Sequence, residues 1–259
     1  QVKVEMVDSD LRIACGRARY ALPTLPAGDF PTLAELGKPY AEFDVLWADF
    51  AAAFSSVRFC VNSGEDRPYL NGVHLEAVDG ADPDTWRLRL VATDGHKCAY
   101  REIDADGARP DIPKTMIVPP AALDALGKLA AKVGNPVTIE MHDQRIVARV
   151  PDRGWLVAKL NAGTFPAYRR VFPKPGNHPA EMDRETLAQI VRAIAPVTDG
   201  HKAVVMRLRK GELEMSCQQE GAGPAGLDGM SIDYEGPEVE VGINVSYLSH
   251  MITATDAER

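Results

Sequence analysis

The segment LPAGDFP at Leu25 to Pro31 returns as LNAGTFP at Leu160 to Pro166, identical at five of seven positions and displaced by 135 residues. Each copy follows an alternating, strand-like run, ARYAL before the first and WLVAKL before the second. A chain that ends the same unit twice at this spacing is built from repeated domains. A finer division lies inside the unit. A strand running into an amphipathic helix begins near Glu42, Thr115, Ala180 and Val239, at intervals of 73, 65 and 59 residues.

Apolar spacing places the four helices. Trp47, Phe50, Ala51, Phe54 and Val57 share one helical face, as do Ala122, Leu123, Leu126, Leu129 and Ala130. Leu187, Ile190, Val191 and Ile194 mark a third helix, and Tyr247, Leu248 and Met251 open a fourth. Between them lie TWRLRLVAT, PVTIEM, RIVARV, VVMRLRK and ELEMSC, so each half-unit reads as strand, helix and several strands. The pattern predicts an α+β fold of repeated domains with antiparallel sheets backed by helices, not a doubly wound parallel sheet.

With 259 residues, 45% hydrophobic and 25% charged, the chain has the composition of a globular protein. It contains no apolar run long enough to span a bilayer, and QVKVEMVDSD lacks the apolar stretch of a signal peptide, so the expected compartment is the cytoplasm with no membrane partner. Cys15, Cys60, Cys98 and Cys217 form no CxxC pair, and the six histidines show no HExxH spacing. Reduced, mostly buried thiols and no metal or cofactor are therefore expected. A net charge of −8 argues against tight binding of phosphates by counterion release.

Four stretches carry a resemblance. RPYLNGVHLE (Arg67 to Glu76), LRLVATDGHKCAYREI (Leu88 to Ile103), FPAYRRVFP (Phe165 to Pro173) and VGINVSYL (Val241 to Leu248) resemble, in wording and order, the bacterial sliding clamp family, the beta subunit of DNA polymerase III. The resemblance implies the DNA-clamp (processivity) fold, with three similar domains per subunit. On that frame residues 1–40 are the closing strands of a first domain, 41–173 a complete second and 174–259 part of a third, with both ends of the chain expected to be incomplete. It further implies a non-catalytic subunit that encircles double-stranded DNA, without regard to sequence, as a head-to-tail homodimer. Its implied partners are the polymerase III catalytic subunit, the clamp loader and other clamp-binding replication and repair proteins. A ring-incompetent relative acting as a peptide-binding module is the alternative.

Residue by residue, the resemblance assigns a peptide groove to Leu70, Thr93, Gly95, His96, Lys97, Cys98, Pro166, Arg170 and Val171, closed by Asn244 and Tyr247. Cys98 stands where the family usually has a larger aliphatic residue, which predicts a wider groove floor. DNA contacts fall by the same route on Arg67 and Tyr69, where Tyr69 either stacks on a base or packs. Pro68 replaces a second aromatic there. Lys128, Lys132 and Arg192 are the remaining basic positions, with Arg58 beside them, while Pro120 and Ala121 occupy places often basic in the family.

Local chemistry gives its own readings. Asp94-Gly95 between alternating runs predicts a tight hairpin needing positive φ. A hydrolase built on Asp94 and His96 lacks a third group. Asn71-Gly72 reads either as a second hairpin or, by resemblance, as a loop entering a strand. FPAYRRVFP reads as a short extended linker, and QQEGAGPAGLDG (Gln218 to Gly229), which lacks a GK[ST] ending, as a flexible surface loop.

Overall fold

A computed structural model describes residues 1–30, 36–82, 84–113, 115–131, 133–174, 176–198, 202–219 and 223–258. The chain divides into two compact units, Gln1–Lys38 and Pro39–Arg259.

The smaller unit is an antiparallel meander of β1 (Val2–Val7), β2 (Asp10–Cys15) and β3 (Ala18–Pro23). Two-residue turns join the strands, with positive φ at Asp8 and Gly16, the backbone such turns require.

The larger unit starts with β4 (Ala41–Leu46), α1 (Trp47–Arg58), β5 (Val73–Asp79), β6 (Trp86–Thr93) and β7 (Cys98–Ala105). The same plan follows as β8 (Ile117–Val118), α2 (Pro120–Leu129), β9 (Pro136–His142), β10 (Arg145–Val150) and β11 (Gly154–Lys159). Last come α3 (Arg184–Ile194), β12 (Ala203–Arg209), β13 (Glu212–Gln219), β14 (Gly223–Ser231), β15 (Val239–Asn244) and α4 (Val245–Ala254). The half-unit read from the sequence is thus strand, helix and a three-stranded meander. β2 and β10 start at Asp10 and Arg145, the same 135-residue displacement as the repeated word.

The three sheets of this unit run β7-β6-β5-β8, β11-β10-β9-β4 and β14-β13-β12-β15, with antiparallel pairing throughout. The short strand that opens each half joins the meander of the other half: β4 pairs with β9, and β8 with β5. This exchange locks the two halves together, and β15 repeats it on β12.

Alternation produces these strands. Trp86, Leu88 and Leu90 of β6 are buried while Arg87 and Arg89 face the other side. In α1 the buried face is Phe50, Ala53, Phe54 and Val57. Ala53, rather than the expected Ala51, completes it, because 50, 53, 54 and 57 follow the helical period more closely. Asp183 caps α3 by accepting from Thr186 N at 2.7 Å, and Leu187, Ile190, Val191 and Ile194 form its buried stripe.

One large core joins α1, α2 and both sheets of residues 41–160, centred on Phe50, Leu75, Leu88, Ile139 and Met141. A second gathers Leu187, Val204, Leu213, Met215 and Leu248. A small third cluster, Leu70, Val91, Ile117, Phe165 and Tyr168, lies apart from both.

Two loop readings are corrected. Gln218 to Gly229 is largely a hairpin, with β13 running to Gln219, β14 starting at Gly223, and a register shift at Cys217/Gln218. The strands continue because backbone pairing tolerates glycine where it is backed by a partner strand; Glu220, Gly221 and Ala222 lie outside the described residues. Tyr168–Arg170 is a 3-10 turn rather than extended chain. Among the cysteines, Cys60 and Cys217 are buried, Cys98 is half-buried and Cys15 is exposed.

Candidate functional site

Three segments converge above the small third core. The first is the turn between β6 and β7. Thr93 and Cys98 are paired, so the turn holds four residues, 94–97, wider than the two-residue Asp-Gly hairpin read from the sequence. Side-chain chemistry widens it: Asp94 Oδ1 accepts from the backbone of both His96 and Lys97 at 2.9 Å. Thr93 Oγ1 donates to Lys97 O at 2.8 Å and accepts from Gly95 N at 3.1 Å. Gly95 has φ 91°, a backbone position that a side chain resists. Burial alone pushes the Asp94 carboxyl up, but hydrogen bonds from Lys97 Nζ and from the Lys97 and His96 amides outweigh it and hold the group below its ordinary value.

The second segment is the loop before β5. It contains no Asn-Gly hairpin: Pro68–Leu70 is a 3-10 turn, and Gly72 leads into β5. Asn62 and Asn71 hold the loop shut, through Asn62 Nδ2 to Asn71 Oδ1 and Asn71 Nδ2 to Gly64 O, both 2.7 Å. Leu70 is buried as a result, with its carbonyl accepting from Asn62 N at 3.0 Å. The glycine of the second repeated word explains where Tyr69 lies. A Cβ on Gly163, at φ 111°, would stand 2.8 Å from the Tyr69 Cβ.

The third segment is Phe165 to Pro173. Phe165 stacks on His74 at 4.9 Å, and Tyr168 and Phe172 meet edge to face at 6.2 Å. Val171 remains 67% exposed. Such an exposure for a branched apolar residue beside a cavity marks a surface that is not yet covered.

Together the segments enclose a cavity of about 600 Å³, within the range of ligand pockets. Its walls are Arg67, Tyr69 and Leu70; Thr93, Gly95, His96, Lys97 and Cys98; and Pro166, Ala167, Tyr168, Val171, Phe172 and Pro173. Eight of the expected groove residues therefore meet: Leu70, Thr93, Gly95, His96, Lys97, Cys98, Pro166 and Val171. Arg170 lies on the neighbouring 3-10 turn without lining the cavity. Asn244 instead caps α4 by accepting from Ser246 N at 2.9 Å. Tyr247 reaches the turn indirectly, its ring 5.3 Å from Lys97 Nζ.

The residues expected to touch DNA separate into two groups. Arg67 and Tyr69 belong to the cavity wall. Lys128 is exposed in the last turn of α2, and Arg192 is exposed on α3 and bound to Glu185 at 2.6 Å. Arg58 pairs with Asp124. Lys132 lies outside the described residues.

Sequence reasoning missed Tyr168 and Phe172. The aromatic spacing in FPAYRRVFP carried a signal for both, obscured by the prolines. Behind Tyr168, charges alternate across the sheet: Glu76 faces Arg89, and Arg89 faces Glu102. The Tyr168 hydroxyl donates to Glu76 and accepts from Arg89 Nη1 at 2.9 Å.

The chemistry available is that of binding. The Asp94 carboxylate is engaged by its own turn and by Lys97, and among the described residues no third group organises Asp94 and His96 as a hydrolase would require. Burial pushes the Cys98 thiol up to about 11, which disfavours the thiolate a nucleophile needs. Among the described residues no group of three or more His, Cys, Asp or Glu could hold a metal ion, and no helix is long and apolar enough to cross a membrane.

Comparison with known proteins gives one consistent result. Residues 45–167 match the model of the DNA polymerase III beta subunit central domain, and residues 169–259 that of its C-terminal domain. The chain is 30% identical over 243 residues to the beta sliding clamp of Caulobacter vibrioides, which spans 93% of this chain and 63% of that relative. It is 29% identical over its whole length to the beta sliding clamp of Pseudomonas aeruginosa, covering 68% of it. The solved C. crescentus beta sliding clamp superposes with a TM-score of 0.88 at 28% identity, over 99% of this chain and 68% of that one. A P. aeruginosa sliding clamp bound to griselimycin gives 0.85 at 27% identity, over 99% and 67%.

Proposed function

Because the chain belongs to the bacterial DNA polymerase III beta subunit family, the sliding clamps, we propose that it is a non-catalytic processivity subunit whose cavity docks short apolar peptides. In this reading residues 1–40, 41–173 and 174–259 are parts of three clamp domains. Copies joined head to tail encircle duplex DNA, with Lys128 and Arg192 toward the phosphates. The polymerase catalytic subunit, the clamp loader and other replication and repair proteins share the dock in turn, in the cytoplasm.

The observation that carries the reading is the cavity itself. Leu70, Thr93, Gly95 to Cys98, Pro166 to Tyr168 and Val171, distant in sequence, form one concave, largely apolar surface with the exposed Val171 at its edge. Each Leu or Phe anchor buried there contributes about 1.5–3 kcal/mol, so two anchors and a few hydrogen bonds reach micromolar affinity. Exchange between partners requires that range. A fluorescein-labelled hexapeptide carrying adjacent Leu and Phe is the direct probe: saturable micromolar binding, displaced by griselimycin, is expected. No binding at 1 mM would remove the docking reading, where about 1 mM corresponds to only 4 kcal/mol.

A second reading, a peptide-binding module that does not encircle DNA, is favoured by the charges. Arg58 and Arg192 are engaged by carboxylates, and the net charge is −8. Sizing at micromolar concentration separates the two. A dimer retained on circular but not on linear DNA supports the ring, and a monomer that binds the peptide supports the module.

A further inference from the structure

We propose that the Tyr168 hydroxyl is the positioning group of this groove, holding the 166–173 segment against the β5-β6-β7 sheet so that Pro166 and Val171 keep the spacing a docked peptide needs. The inference rests on the docking reading above.

Tyr168 has two ends with different surroundings. Its ring is buried with Leu70, Val91, Ile117 and Phe165 beneath the cavity. Its hydroxyl lies on the sheet's charged row, donating to Glu76 Oε2 and accepting from Arg89 Nη1 at 2.9 Å. Arg89 cannot swing away: its Nε donates to Glu102 at 2.8 Å, and its guanidinium lies 4.7 Å from the centre of the Tyr100 ring. Charged partners make these hydrogen bonds stronger than neutral ones. The backbone bonds of the segment are local, Tyr168 N to Pro166 O and Val171 N to Tyr168 O. Its polar ties to the sheet run through Tyr168 and through Arg169, whose Nη2 donates to Glu76 Oε1 at 3.1 Å. Without the hydroxyl tie the turn can rock about its buried ring, and binding must then order it again.

Tyr168→Phe isolates this role. The ring stays, Arg89 keeps Glu102, and Glu76 keeps Arg169, so no buried charge is left without a partner. Binding of the labelled Leu-Phe hexapeptide is measured for the unaltered chain, Tyr168→Phe, Glu76→Ala, the double variant and Glu76→Gln, with unfolding midpoints alongside. Tyr168→Phe should weaken binding about fivefold and Glu76→Ala, which also releases Arg169, by at least as much, and the double variant should lose less than the product of the two, as expected for residues coupled through a shared hydrogen bond. Glu76→Gln keeps an acceptor for the hydroxyl and should stay within about twofold of the unaltered chain. A purely structural role would lower the unfolding midpoint and leave affinity unmoved. Equal affinity in Tyr168→Phe, or losses that multiply in the double variant, overturns the positioning role while docking stands. Failure of the unaltered chain to bind the peptide overturns both.

Discussion

Replacing Asp94 with alanine removes one carboxylate that organises the whole 94–97 turn. Two backbone amides, of His96 and Lys97, donate to the same Oδ1 at 2.9 Å, and Lys97 Nζ pairs with Oδ2. Loss of a local side-chain acceptor of this kind costs about 0.5–2 kcal/mol. The Lys97 pair, with 18% and 16% of the two side chains exposed, adds under about 1 kcal/mol after screening. Local opening therefore becomes easier by about 2 kcal/mol, which is roughly a thirtyfold rise in the open population. Amide hydrogen exchange at His96 and Lys97 reads this directly, because slow exchange there follows local opening. Asp94→Asn keeps an oxygen for both amides and loses the charge alone, so it should show about a quarter of the effect, on the order of 0.5 kcal/mol.

The pH dependence follows from the same carboxyl. Its pKa in the fold lies below the unfolded value, so its contribution is present above the unfolded value and disappears as pH falls through the folded one. The unaltered turn should lose protection on that acid limb, and Asp94→Asn should be flat across it. Unchanged exchange in Asp94→Ala, or equal damage by asparagine and alanine, would show that the turn does not depend on these bonds.

Further outcomes are expected elsewhere around the cavity. Gly95→Ala places a side chain at φ 91° and 2.7 Å from Arg67 Nη1; because an arginine end moves readily, backbone strain dominates, about 1–2 kcal/mol, and Arg67→Ala should not rescue the unfolding midpoint. Val171→Asp, on a side chain already 67% exposed, should leave the midpoint unchanged yet weaken peptide binding by tenfold or more, about 1.4 kcal/mol. Iodoacetamide should alkylate exposed Cys15 first, while Cys98 and Cys60, pushed up by burial to about 11 and about 12, react slowly until unfolding; mass spectrometry of the labelled sites gives the order. Phe43→Ala removes a buried ring 5.1 Å from Trp86 and should destabilise the large core by about 3–5 kcal/mol in denaturant.

What the sequence made legible was periodic. The alternation of β6, the stripe of α3 and the displaced word at Leu25 and Leu160 each follow from a fixed spacing, and each has its counterpart in the fold. What it concealed depends on partners far along the chain. Tyr168 meets Glu76 and Arg89 across 92 and 79 residues, a separation no local pattern encodes. Glycines between Gly223 and Gly229 suggested a loop because propensity is local, whereas β14 is held by pairing with β13. Asp94-Gly95 suggested a two-residue turn, and the carboxylate's bonds to two amides made it four. The resemblance grouped Leu70, Thr93, Gly95, His96, Lys97, Cys98, Pro166 and Val171, which the fold brings to one cavity. It also offered Arg67 and Tyr69 to DNA; both line the cavity, and Gly163 packs against Tyr69.

An NMR titration of the isotope-labelled chain with the Leu-Phe hexapeptide asks whether this cavity is the dock. Saturable shifts at Leu70, Thr93, Lys97, Cys98 and Val171, with α2 and α3 unmoved, are the predicted result. Shifts centred on another face, or none at 1 mM peptide, about 4 kcal/mol of binding free energy, would contradict it.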